Sequence, residues 1–95
     1  MKSSLRISIT SPCPESTIKK LGIKQWQIWS CDPSTFPWVY SDQETCLILE
    51  GEVTVTPEGG DPVSFRAGDL VVFPKGMSCI WKVHKAVCKH YRFGN

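Results

Sequence analysis

Between Glu44 and Phe93 the chain is cut by glycine- and proline-bearing turns into apolar segments too short for helices. ETCLILE is followed by Gly51, EVTVT by PEGGD, PVSFR by AGD and LVVF by PKG, before SCIWKVH and AVCKHYRF close the run. Within these segments apolar side chains recur at every second position, Cys46 with Ile48, Val53 with Val55 and Val63 with Phe65. That period matches a strand with one buried face. Short strands separated by such turns predict an all-β sandwich or small barrel, and a barrel has the added merit of removing exposed strand edges.

The first third reads differently. Leu5, Ile7 and Ile9 alternate with polar residues and predict an N-terminal strand. Pro14 can open a short helix, with Glu15 in its first turn, Lys19 and Lys20 near its end and Gly22 to close it. Ile18 and Leu21 would be its buried face. IKQWQIW, from Ile23 to Trp29, reads as a further strand, and the two prolines of CDPSTFPWVYSD make that segment a loop or an edge strand.

Ninety-five residues supply one core and not two, so a single domain over 1–95 is expected, with the barrel at about 34–93 and the strand and helix within 1–33. Hydrophobic residues make up 41% and charged residues 21%, which excludes extended disorder. No apolar run approaches the ~20 residues of a membrane-spanning helix. The net charge of +2 is scattered, with no basic block to suit nucleic acid. No secretory leader is visible at the start, and the five cysteines form no C-x-x-C pair. Reduced thiols in a cytoplasmic protein are therefore expected.

The turns also carry a family pattern. Gly68, DLVVF, Pro74, Lys75 and Gly76 match the first half of the second cupin motif, and Glu44, TCLILE and Gly51 match the second half of the first. The chain resembles the cupin superfamily. It is most similar to the short single-domain cupins related to the cupin domain of (S)-ureidoglycine aminohydrolase and to ethanolamine-utilisation cupins. Trp38, Tyr40, Glu44, Thr45, Cys46, ILEG, GDLVVFPKG, CIWKV and KHY carry that likeness. The resemblance implies a double-stranded β-helix, the cupin jelly-roll barrel, and a homodimer. It also implies a metal held by three histidines and one glutamate, and here the chain departs from it. Trp38 and Tyr40 stand at the spacing of the first two histidines and Cys79 at the third, leaving only Glu44. Indole offers a metal no free lone pair and a neutral phenol is a poor ligand. No cofactor is expected; any remaining metal site would rest on Glu44 and Cys79, with zinc the matching ion.

The candidate site follows from the same positions. Glu44 alternates with Cys46 and Ile48 and should point inward, as a structural hydrogen-bonding group or as a general acid/base. Cys79 shares a face with Trp81 and Val83, as a small buried hydrophobe, a nucleophile or a soft ligand. Trp38 and Tyr40 can line a pocket or fill it. A pocket formed by Trp38, Tyr40, Glu44, Cys46, Cys79 and Trp81 would take a small polar metabolite such as a ureide, amine or sugar derivative. The alternatives are an aminohydrolase- or isomerase-like enzyme using Glu44, and a structural dimer whose barrel is simply filled.

Overall fold

The computed structural model describes residues 5–94, so residues 1–4 and 95 of the expected single domain lie outside the described residues. Strand β1 (Ser8–Thr10) leads to helix α1 (Glu15–Leu21) and a 3-10 turn (Ile23–Gln25). Strands β2 (Gln27–Cys31), β3 (Ser34–Val39), β4 (Glu44–Pro57), β5 (Val63–Arg66), β6 (Leu70–Phe73) and β7 (Ser78–Phe93) follow. The class is all-β with one short helix, as expected. No helix among the described residues is long and apolar enough to cross a membrane.

Two of the expected breaks are bends. ETCLILE and EVTVT form the single strand β4, and SCIWKVH and AVCKHYRF form the single strand β7. The two pair antiparallel from Glu44↔Phe93 to Pro57↔Cys79, with register shifts between Ile48 and Val53 that absorb the bend. Gly51 makes this possible. Its φ is 102°, and a Cβ there would lie 2.5 Å from the Ala86 carbonyl oxygen and 2.7 Å from Val87 Cα. The ladder thus crosses Gly51 at a bulge that only glycine fits, where turn chemistry alone suggests an end.

The segment with two prolines is ordered too. β2 and β3 run in the same sense along β7, from Gln27↔Tyr91 to Cys31↔Val87 and from Ser34↔Val83 to Val39↔Ser78. Only Asp32 and Pro33 interrupt them, opposite the bend in β7. On the far side of β4, its first half pairs with β6 and its second half with β5. The order β1-β6-β4-β7-β2, with β3 added on β7 and β5 on β4, is one continuous sheet folded over at its bends, rather than two separate sheets. It does not close into a complete barrel, because β1 and β2 remain its ends.

Folding the sheet puts the inward positions of both halves into one core: Cys46, Ile48 and Val87 from one, Val53, Val55, Phe65, Trp81 and Val83 from the other. A second cluster of Ile23, Leu47 and Leu70, with Ile18, Leu21 and Trp26, seats the helix on the outer face. This explains why Ile23–Gln25 turns where a strand is expected. Gly22 ends the helix in the left-handed conformation and drops Ile23, fully buried, into that cluster.

Candidate functional site

The inward face of β7 reads Cys79, Trp81, Val83, then past the bend Val87, Lys89 and Tyr91. A lysine therefore occupies a core position, only 5% exposed. Its partner comes from β4, the neighbouring strand. Lys89 Nζ donates to Glu44 Oε2 at 2.6 Å, and both side chains are almost wholly buried. The Tyr40 hydroxyl donates to the other oxygen, Oε1, at 2.7 Å. Backbone bonds from Tyr40 N to the Met77 carbonyl and from Gly76 N to the Tyr40 carbonyl fix Tyr40 against the PKG turn. Its ring stacks on Phe73 at 4.9 Å.

Aromatic rings flank the ammonium. Lys89 Nζ lies 4.5 Å from the ring centre of Trp81 and 5.0 Å from that of Trp29. Such contacts replace part of the lost hydration of a cation. Phe36 stacks on Trp81 at 6.0 Å, and Trp29 meets both edge-on. Above the ion pair opens a cavity of about 220 Å³. Trp38, Tyr40, Glu44 and Trp81, all expected from the sequence, line it together with Lys89, Tyr91 and Phe93.

Cys46 and Cys79, the other two expected site residues, lie in the core cluster and do not line the cavity. Burial, reinforced by the Glu44 charge against the pull of Lys89, pushes the Cys46 thiol up to about 12. Burial, and then Glu44, push Cys79 up to about 11, against a smaller opposing pull from the Trp81 side chain. Trp81 Nε1 is buried without a hydrogen-bond partner. Burial and the neighbouring Glu44 also raise Tyr40 well above the usual phenol value. Of the two histidines, His84 bonds Thr54 on the outer surface at 2.8 Å and His90 meets the Trp26 carbonyl on the helix side, so neither serves the cavity.

Two consequences follow for the thiols. Cys46 and Cys79 should react far more slowly with a thiol reagent at pH 8 than Cys13, Cys31 and Cys88, which are partly exposed. Raised thiols also favour the fold most where they stay protonated. Their contribution is complete below the ordinary thiol value of 9.0 and is lost above it, as the unfolded chain ionises and the native one does not. The melting temperature should therefore fall from pH 9 upward, and a flat profile to pH 11 would show these thiols to be solvated.

The positions that the cupin pattern gives to metal ligands hold Trp38, Tyr40, Glu44 and Cys79. An ammonium sits 2.6 Å from Glu44 Oε2, and neither the Trp38 indole nor the neutral Tyr40 phenol is a good ligand, so these residues do not fit a divalent ion. Among the described residues no group of three or more histidine, cysteine, aspartate or glutamate side chains is arranged to hold one.

Comparison with known proteins places this fold. The family model described as "EutQ-like cupin domain" matches residues 18–91. A DUF861 family protein from Thermotoga maritima superimposes with a TM-score of 0.86 at 42% identity, covering 95% of this chain and 99% of its own. A putative ethanolamine utilization protein Q from Salmonella typhimurium gives a TM-score of 0.65 at 31% identity, over 70% of this chain and 54% of that one. The curated Salmonella typhimurium protein named acetate kinase EutQ is 39% identical over 57 residues, and the matched region spans 22% of its length.

Proposed function

We propose, because this chain belongs to the EutQ-like cupin domain family and carries a buried ion pair beneath an open aromatic cavity, that it binds a small polar metabolite there. The single observation that supports this reading is the Glu44–Lys89 contact at 2.6 Å against the cavity. A buried ion pair contributes little net stability compared with well-packed apolar residues, so its presence beside the cavity favours a role in recognition. The pair offers a ligand one anionic acceptor and one cationic donor, set among flat apolar walls. That combination suits a molecule with a carbonyl or carboxylate for Lys89 and an N–H or O–H for Glu44, such as an amide, a ureide or an amino acid. In this reading no resident metal is needed, because Lys89 supplies the positive charge beside Glu44. The kinase activity in the name of the Salmonella relative is not carried over, since the match covers a small part of that protein.

A second reading draws on the Tyr40–Glu44–Lys89 chain of hydrogen bonds, which would also suit proton transfer. An enzyme of the aminohydrolase or isomerase kind would use Glu44 as acid/base, and Glu44→Gln would then cost at least ~10²-fold in turnover.

A thermal-shift screen of amides, ureides, amino acids and polyols tests the binding reading. A ligand held by the native state alone should raise stability by roughly 2.7 kcal/mol at a hundred times its dissociation constant. Trp38 is 45% exposed at the cavity mouth, so Trp38→Ala should weaken that shift while leaving the melting temperature of the free protein nearly unchanged. A screen in which no compound shifts the transition would favour a barrel whose pocket has no ligand.

A further inference from the structure

Lys89 is a primary amine at the wall of a cavity, and the binding role given to it above uses only its charge. An amine becomes a nucleophile once it sheds a proton and its lone pair meets an electrophile. Here the acceptor for that proton is already in place, the Glu44 oxygen 2.6 Å away. Moving one proton across this contact turns the ion pair into an amine and a carboxylic acid without releasing charge into the protein. The Trp29 and Trp81 rings shield the nitrogen from water, and the cavity of about 220 Å³ admits only a small partner. Tyr40 holds Glu44 Oε1, so the carboxylate keeps its orientation while Oε2 exchanges the proton.

The geometry points to covalent capture of a small aldehyde or ketone, with Lys89 forming an imine and Glu44 carrying the protons. Lys89 first gives a proton to Glu44 Oε2. The nitrogen lone pair then forms the C–N bond while the carbonyl π pair moves to oxygen. That oxygen gains the nitrogen's next proton, giving a carbinolamine. Glu44 returns its proton to the hydroxyl, the C–O bond breaks, and one water leaves. The product is a protonated imine beside an ionised Glu44. Ammonium and carbonyl have become iminium and water, and the buried ion pair is restored. Imine formation reverses by the same steps with water, so the site can release the carbonyl compound unchanged.

This inference rests on the binding reading above, and the experiment separates the two. Butyraldehyde is added to the full chain, sodium borohydride reduces any imine to a stable secondary amine, and peptide mass mapping locates it. Butyramide, which keeps the carbonyl but does not form an imine under these conditions, is titrated in parallel by tryptophan fluorescence. The expected result is modification of Lys89 ahead of every other lysine, slowed roughly 10²-fold in Glu44→Gln. Glu44→Asp, which keeps a carboxylate, should retain part of the rate, and circular dichroism confirms the fold of each variant. Modification confined to surface lysines while butyramide still binds would overturn the imine and leave the binding reading standing. The same labelling with no butyramide binding would overturn both.

Discussion

Lys89→Met should lower the stability of the fold by about 3–5 kcal/mol, the cost of leaving one member of a buried ion pair without its partner. In a domain of this size each kcal/mol moves the melting temperature by roughly 4–8 °C, so a fall of at least ~12 °C is expected. Methionine fills the space of the lysine stem, so the loss comes from the Glu44 carboxylate, which keeps only the Tyr40 hydroxyl. Glu44→Gln should destabilise in the same way, because the Lys89 ammonium then has only a neutral amide and the rings of Trp81 and Trp29. The double variant is the informative one. With both charges gone the desolvation cost goes too, and its stability should return to that of the natural chain or exceed it. Thermal unfolding of the four proteins gives the coupling directly. Additive losses in the double variant would mean that the two side chains do not meet in solution.

Gly51→Ala should be the other severe change. A left-handed backbone at φ 102° disfavours any Cβ, and this one would press on the main chain of β7 at Ala86 and Val87, which no rotamer change can relieve. Strain and overpacking together should cost on the order of 3 kcal/mol. Gly22 supplies the control. It also has a positive φ, of 66°, but a Cβ there meets nothing within 4 Å, so Gly22→Ala should cost only about 1 kcal/mol. Urea unfolding of the two variants measures the difference. Equal effects would show that the bulge joining the two halves of β4 is not as close to β7 as described.

The strands were legible because alternation and turn chemistry are local. Their continuity was not. Gly51 looks like a stop in the sequence, and only its neighbour β7, more than thirty residues on, shows that pairing passes through it. Asp32 and Pro33 similarly mark a bend shared with β7 rather than an end. Glu44 was found at the site because its alternation with Cys46 and Ile48 leaves a carboxylate facing inward. Lys89 was missed because a lysine in a basic, amphipathic segment such as KHYR reads as solvated. The signal was present: Val87, Lys89 and Tyr91 continue the inward register of Cys79, Trp81 and Val83. An inward acid on one strand calls for an inward base on another. The expected pocket roles of Cys46 and Cys79 rested on sharing a face with Glu44 and Trp81. A shared face places a side chain inside the fold but does not say which part of the interior is open.

The binding role proposed for the Glu44–Lys89 pair implies that the pair serves the ligand and not the fold. Its most direct test is a tryptophan-fluorescence titration, on the Glu44→Gln/Lys89→Met double variant, of the strongest compound from the thermal-shift screen. Trp29, Trp38 and Trp81 all line the cavity and report its occupancy. The double variant should match or exceed the natural chain in melting temperature and bind the compound at least ~10²-fold more weakly, consistent with the loss of two charge-assisted hydrogen bonds. Undiminished binding to a double variant of unchanged stability would contradict the account.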